Sequence, residues 1–198
     1  MPAGIIISWT FSNREAIRLK QHKKYHYPGN WKITVYFLLL VKIFKKMIYR
    51  VLVFLVLNFA ALGIGRYFMG EGPSSDWYRN LNQAPWTPPG WIFGVSWTII
   101  MICFALYMAY AWQVAENRKL VVLLFFLQWI VNILWNPVFF KYHQVFTGLI
   151  IIFLLTLVVG ATFFLYLKGL KVKSVLILPY LVWLLIACSL NAYIYFKN

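Results

Sequence analysis

The chain has 198 residues, of which 63% are hydrophobic, 20% aromatic and 12% charged, and its formal net charge is +15. A soluble domain is usually about 45–50% apolar and about 25% charged. The composition therefore excludes a disordered chain, a disulfide-stapled secreted domain and an ordinary soluble enzyme. The basic charge does not indicate a nucleic-acid partner, because ten of the 19 lysines and arginines lie in residues 1–50 and the others are scattered between long apolar runs. The sequence predicts a membrane protein with a basic amino-terminal end.

The amino-terminal segment, residues 1–46, joins a basic stretch to a short apolar run from Ile33 to Val41. This run is too short to cross a bilayer, which takes about 20 residues, and no small-residue cleavage site of a signal peptide follows the basic stretch. Two interpretations stay open: an interfacial basic arm attracted to anionic lipid, or sequence upstream of a true start at Met47. Residues 47–198 are predicted to form the transmembrane domain.

Five apolar stretches are long enough to cross roughly 30 Å of hydrocarbon as helices. Backbone polar groups in lipid must be satisfied within their own segment, which favours helices. The links after the first loop are short, so sequential helices are expected to be antiparallel neighbours. The predicted fold class is an all-α membrane protein, a five-transmembrane-helix bundle. Its predicted spans are Ile48–Phe68, Gly90–Val114, Leu120–Phe140, Val145–Leu167 and Ser174–Phe196.

The first loop, residues 69–89, differs from a flexible linker because it combines prolines with aromatic residues. Prolines stiffen a loop, and amphipathic aromatic side chains hold it at the membrane interface. We therefore expect the loop to keep a defined shape. The residues concerned are Pro73, Trp77, Tyr78, Pro85, Trp86, Pro88 and Pro89.

The distribution of basic residues predicts the orientation of the chain. On the predicted topology, fifteen lysines and arginines lie on the side of the amino terminus and four lie on the other side. The positive-inside rule then places the amino terminus in the cytoplasm. The first loop and the carboxyl terminus would face outward.

The inventory of reactive side chains argues against acid–base chemistry in the membrane. The acidic residues all lie outside the predicted spans, which disfavours proton-coupled transport and hydrolysis. No metal site is predicted, because His22 and His26 lack a third ligand, and we interpret Cys103 and Cys188 as small buried hydrophobes. The acidic residues are Glu15, Glu71, Asp76 and Glu116.

A polar stripe on the third span indicates a small-molecule site. Gln128, Asn132 and Asn136 follow one another at i, i+4 and i+8 and so lie on one helix face. Amides also fasten helices together and aromatics also form interfacial belts, so packing stays open as an alternative for each residue. An apolar pocket with a few convergent polar groups is the usual form of a ligand site. Tryptophans that are not all at span ends add flat surfaces, namely Trp97, Trp135 and Trp183.

Aromatic, proline and amide residues recur in fixed runs from the first loop onward. The runs are Trp77–Leu81, Ala84–Trp91 with Phe93 and Trp97-Thr98, Gln128 with Asn132, Trp135–Pro137 before Phe139-Phe140, and Pro179-Tyr180 with Trp183, Ala187, Leu190 and Asn191. In combination they resemble the TspO/MBR family of tryptophan-rich sensory and translocator proteins. The resemblance extends from about Met47 to the carboxyl end and leaves the first 46 residues without a counterpart.

This resemblance implies five tight helices, often dimeric, and a ligand cavity that opens toward the first loop, which acts as its lid. The implied ligands are porphyrins such as protoporphyrin IX, sterols, and isoquinoline or benzodiazepine compounds. The ligand-binding residues that it implies are Trp77, Tyr78, Pro88, Phe93, Trp97, Asn132, Trp135, Asn136, Trp183 and Ala187.

The predicted function is a membrane receptor or sensor that binds a tetrapyrrole. No cofactor is expected, and no metal, because the spans contain no histidine to ligate iron. The first alternative is a light-dependent porphyrin-degrading enzyme, in which the resemblance assigns the redox role to Trp97 and Trp183. A second alternative, a small transporter, is disfavoured by the missing intramembrane charges.

The expected partners are the porphyrin ligand and membrane lipid, with no nucleic acid. Small residues that let helices approach closely occur in two of the spans. Either pair would serve a homodimer or internal packing, and both uses stay open. The pairs are Ala61 with Gly65 and Gly160 with Ala161.

Overall fold

The computed structural model describes residues 31–198, and the regular elements within that range are all helical. The chain divides into two compact units, Met1–Phe44 and Lys45–Asn198, and the packing described below belongs to the second. Residues 1–30 of the predicted extension lie outside the described residues, so its role stays a prediction. The α-helices are α1 (Trp31–Phe68), α2 (Asp76–Asn80), α3 (Gly90–Val114), α4 (Arg118–Asn136), α5 (Val145–Leu170) and α6 (Leu178–Lys197).

Four stretches of the described residues are long and apolar enough to cross a membrane. They are Ile33–Ser74, Gly90–Val114, Arg118–Lys141 and Val145–Lys197. The last stretch contains both α5 and α6, which a 3₁₀ turn at Lys171–Ile177 joins and which pack extensively against each other. The described part of the chain is therefore all-helical, and the protein is an integral multi-pass membrane protein.

Helix α1 is longer than the predicted span Ile48–Phe68, because it is already helical at Trp31, the first described residue. The sequence has a Pro-Gly pair just before Trp31 and then neither residue until Gly63, so no local signal stops the helix. The apolar run Ile33–Val41 is consequently part of this long helix and not a separate short segment. The helix ends at Phe68, just before Gly70, whose φ of +66° side-chain-bearing residues rarely adopt.

Local sequence signals set the ends of α4. The Asn117 Oδ1 accepts hydrogen bonds from the backbone N–H groups of Lys119 and Leu120 and so caps the helix. At the other end Pro137 lacks an N–H group, and α4 ends at Asn136. The chain continues as one π-helical turn, Pro137–Lys141, in place of the α-helix that was predicted to reach Phe140.

The half of the bundle remote from the first loop is filled by aromatic side chains. Phe104, Tyr107, Phe125 and Tyr180 are each at most 1% exposed. The Phe104 ring stacks parallel to Phe125 at 6.2 Å and meets Tyr180 edge-on at 5.3 Å. This dense packing leaves no room for a ligand between these rings.

Buried polar side chains join the helices across this core. Tyr180 donates to Gln128, so Gln128 fastens α6 to α4 and is part of the packing. In hydrocarbon such bonds contribute about 0.6 kcal/mol each. The cross-helix bonds run from Tyr180 Oη to Gln128 Oε1 (3.0 Å), from Tyr107 Oη to the Thr162 carbonyl (2.9 Å), from Asn58 Nδ2 to the Met101 carbonyl (3.0 Å) and from Trp129 Nε1 to the Leu57 carbonyl (2.8 Å).

The small residues of α1 are used for packing within the chain. Ala61 is 3% exposed, and a Cβ added at Gly65 would lie 2.7 Å from Asn136 Nδ2, so Gly65 is what lets α1 approach the end of α4. On α5, by contrast, a Cβ at Gly160 would meet no atom within 4 Å. The homodimer stays a prediction.

Gly148 and Gly160, both on α5, form a matched pair for testing the packing. In Gly148→Ala the new Cβ would lie 3.1 Å from Cδ2 and 3.3 Å from Cβ of the buried Phe139, while Gly160→Ala adds a methyl group to open space. Both changes raise helix propensity by up to about 1 kcal/mol, but overpacking costs about 1–3 kcal/mol. We expect Gly148→Ala to lower the thermal unfolding midpoint in detergent relative to Gly160→Ala. Equal midpoints would contradict this packing.

Candidate ligand-binding site

A cavity of about 290 Å³ lies at the end of the bundle where the first loop joins α3. Its walls come from α1, α3, α4 with its π turn, α5, α6 and the loop. Eight of the ten residues predicted to bind ligand line it, and the predicted Trp77 and Pro88 do not. The eight are Tyr78, Phe93, Trp97, Asn132, Trp135, Asn136, Trp183 and Ala187.

Further residues line the same cavity without having been predicted as binding residues. Several of them, such as Phe139 and Asn191, stand in the runs that carry the family resemblance, so that signal could have found them. For Arg66 the sequence showed only a cation near the end of a predicted span, and such a cation usually extends to the membrane interface. The additional lining residues are Leu62, Arg66, Met69, Pro73, Gly90, Gly94, Phe139, Phe140, Ile152, Leu190, Asn191 and Ile194.

Trp77 lies behind the cavity wall. Its indole stacks on the His143 ring, with centroids 4.0 Å apart and planes inclined by 13°. It also meets Phe139 edge-on at 5.6 Å. Because Phe139 itself lines the cavity, Trp77 supports that wall from outside, whereas Pro88 is half-buried in the loop just before α3.

The aromatic walls offer flat surfaces in two orientations. Trp135 stacks on Phe139 with centroids 5.3 Å apart and planes 11° apart. In another part of the lining, Phe93 meets Trp183 edge-on at 5.3 Å, with planes 84° apart. A planar, apolar ligand is suited to such surfaces, since aromatic rings attract one another in both arrangements.

Two polar atoms in the cavity walls are buried without a hydrogen-bond partner. They are Trp135 Nε1, a donor, and Asn191 Oδ1, an acceptor, and they are two of the five such atoms among the described residues. Leaving a buried polar group unpaired costs about 1–3 kcal/mol. Both atoms are inaccessible from the cavity as it stands, so a ligand would reach them only after the walls move.

The other polar side chains of the lining are the indoles of Trp97 and Trp183, amides, one phenol and one cation. Asn136 Nδ2 donates to the Asn132 carbonyl at 3.2 Å. Burial raises the pKa of the Tyr78 phenol above its ordinary value, so this side chain stays neutral and keeps its O–H donor at physiological pH. Arg66 is the one charged side chain among the described lining residues, and the described part of the chain has no group of three His, Cys, Asp or Glu residues able to hold a metal.

The first loop is fastened to the carboxyl end of α6. Asn82 and Asn198 exchange hydrogen bonds, from the Asn82 N–H to Asn198 Oδ1 at 2.8 Å and from Asn198 Nδ2 to the Asn82 carbonyl at 3.4 Å. Further along, Trp86 Nε1 donates to Ser189 Oγ at 3.1 Å. These bonds connect the loop to α6 and to Asn198 just after it.

Comparison with known proteins gives a consistent result. The model of the TspO/MBR family matches residues 52–196. The chain is 32% identical over 154 residues to the tryptophan-rich protein TspO of Archaeoglobus fulgidus. The aligned region covers 77% of this chain and 97% of that protein. It is 33% identical to the protein CrtK of Rhodobacter capsulatus (58% and 74% covered) and 26% identical to the human translocator protein (67% and 80% covered).

Two buried asparagines allow a test of whether the cavity amides serve folding. Asn58 and Asn191 each have an unpaired Oδ1, but Asn58 Nδ2 donates across to Met101 on α3, while Asn191 Nδ2 donates to the Ala187 carbonyl of its own helix. We expect Asn58→Leu to lose about 1 kcal/mol of stability and Asn191→Leu to lose none. Thermal unfolding in the same detergent measures both. Equal losses would show that Asn191 has a structural role.

Proposed function

The chain belongs to the TspO/MBR family, and from that premise we propose that it is a membrane receptor or sensor that binds porphyrin-like tetrapyrroles. The proposed site is the cavity beneath the first loop. The observation that carries the proposal is that flat indole and phenyl surfaces and the amides of Asn132, Asn136 and Asn191 line one cavity. An apolar pocket with a few convergent polar groups is the usual form of a small-molecule site.

A metal-free porphyrin matches this lining group by group. Its planar macrocycle presents a π-face to the stacked Trp135 and Phe139. The Asn132 and Asn136 amides and the Tyr78 hydroxyl offer hydrogen-bonding groups for substituents at the edge of the macrocycle. No step requires a metal or another cofactor.

The size of the cavity supports a lid role for the first loop. A volume of about 290 Å³ is just below the range of about 300–1,000 Å³ typical of ligand sites. A tetrapyrrole therefore requires the cavity to widen. The first loop is the element that can move, because only a few hydrogen bonds, such as those of Asn82 and Trp86, connect it to α6 and Asn198. We further propose that α1, α3, α4, α5 and α6 each cross the membrane, with the amino terminus cytoplasmic and the loop outward.

Titration with protoporphyrin IX tests the proposed site. We expect saturable quenching of tryptophan fluorescence in detergent and in the dark. Trp183→Phe and Asn132→Ala should each weaken affinity about three- to tenfold, since a lost contact of about 1 kcal/mol corresponds to roughly fivefold. The matched control is Trp91→Phe, on the same helix as Trp97 but 70% exposed and outside the cavity lining.

The outcomes of this titration separate the claims. An equal loss in Trp91→Phe would remove the cavity as the site. Absence of saturable quenching would remove tetrapyrroles as the ligand class, while the family and the fold would stand.

A second candidate function, light-dependent porphyrin breakdown with dioxygen as the oxidant, is favoured by one observation: Trp97 and Trp183 line the same cavity. Under illumination in air, an enzyme should bleach the absorbance bands of bound porphyrin faster than those of free porphyrin. Trp97→Phe should then slow the bleaching while affinity in the dark is retained. A porphyrin spectrum that stays stable in the wild-type protein would leave binding and sensing as the function.

A further inference from the structure

We propose that Arg66 recognises an anionic group of the ligand, so that the cavity selects planar aromatic acids over neutral molecules of the same shape. This inference rests on the proposed function and adds a charge requirement to it. It assigns the specificity for carboxylates to one side chain that lies outside the aromatic and amide motifs.

Arg66 lies at the opening of the cavity. It lines the cavity and is exposed, as are Pro73, Gly90 and Gly94, whereas the lining residues Asn132 and Trp183 are buried. A group bound at Arg66 therefore lies at the surface of the bundle while the rest of the ligand lies among apolar and amide side chains. A carboxylate needs this arrangement, because burying an unpaired charge is very costly.

The Arg66 guanidinium has hydrogen-bond donors that are not used within the described residues. A guanidinium has five N–H donors, and its one hydrogen bond among the described residues runs from Nη1 to the Gly70 carbonyl, at 2.8 Å. That bond turns the side chain back over the start of the first loop. The remaining N–H groups can bind a carboxylate with two parallel hydrogen bonds.

No acidic residue of the described chain lines the cavity to neutralise this charge. The nearest in sequence is Glu71, which follows Gly70, and Asp76 begins α2, but neither is among the lining residues. The cavity therefore has one positive charge at its opening and no negative one. An anionic ligand supplies the missing charge.

Simple snorkelling to the membrane interface is the alternative explanation for a cation at the end of α1. Arg79 provides the comparison within the same loop region: it is exposed, lies in α2 and does not line the cavity. If snorkelling were the whole role of Arg66, replacing either arginine would have the same effect on ligand binding.

The experiment compares protoporphyrin IX, which has two carboxylates, with its dimethyl ester, which has the same macrocycle and no charge. The full chain in a neutral detergent is titrated with both, as wild type and as Arg66→Gln, Arg66→Lys and Arg79→Gln. Circular dichroism and size-exclusion chromatography check that each variant is folded. Each titration is repeated at low and high salt.

We expect Arg66→Gln to bind the diacid about five- to tenfold more weakly, as for a partly exposed two-bond contact, and to bind the ester as the wild type does. Arg66→Lys should fall between them, because it keeps the charge and loses the planar fork. Arg79→Gln should match the wild type. High salt should weaken binding of the diacid by the wild type more than by Arg66→Gln.

Two results would overturn the inference while leaving the proposed function intact. If the wild type binds the diacid and the ester equally, the site does not distinguish a charged ligand from a neutral one. Equal losses for both ligands in Arg66→Gln would show that Arg66 acts only through the Gly70 contact. If the wild type binds neither ligand, the proposed function fails and the inference fails with it.

Discussion

Every polar group that this chain brings into hydrocarbon has to find its partner within the protein, because the bilayer core offers none. The helices satisfy the backbone, and bonds such as that from Tyr180 to Gln128 satisfy side chains in the packed half of the bundle. Five buried side-chain atoms of the described residues depart from this rule, and two of them, Trp135 Nε1 and Asn191 Oδ1, belong to residues of the cavity wall. The cavity itself begins where the packing of the bundle stops.

The end of α4 explains why the packing stops there. Pro137 cannot donate to the helix, and the chain goes on as a π turn. Phe139 of that turn stacks on Trp135 and is supported from outside by Trp77. A wall of aromatic rings is thus formed beside the cavity, where a continuing α-helix would have presented other side chains. Gly148 leaves room for the Phe139 ring on the side of α5.

The first loop connects the two proposals made for this cavity. Its far part is fastened to α6 through Asn82 and Trp86, and its beginning is held by the bond from Arg66 to the Gly70 carbonyl. A ligand carboxylate at Arg66 would bind to the same guanidinium that holds the loop. Binding of an anion and the position of the proposed lid would then be coupled through one side chain. Such coupling is what a sensor needs if ligand binding is to change its outer surface.

The sequence by itself determined the helical class, most helix ends and eight of the 20 residues around the cavity. Hydropathy, the Asn117 cap and Pro137 act locally. Of the ten binding residues predicted from the family motifs, eight line the cavity. The tertiary structure alone decided that Trp77 supports the wall, that Gln128 fastens helices and that Arg66 lies at the opening. Spacing fixes which residues share a helix face, but which face meets the cavity depends on how closely neighbouring helices approach. That approach is set by contacts such as Gly65 against Asn136, between residues far apart in the chain.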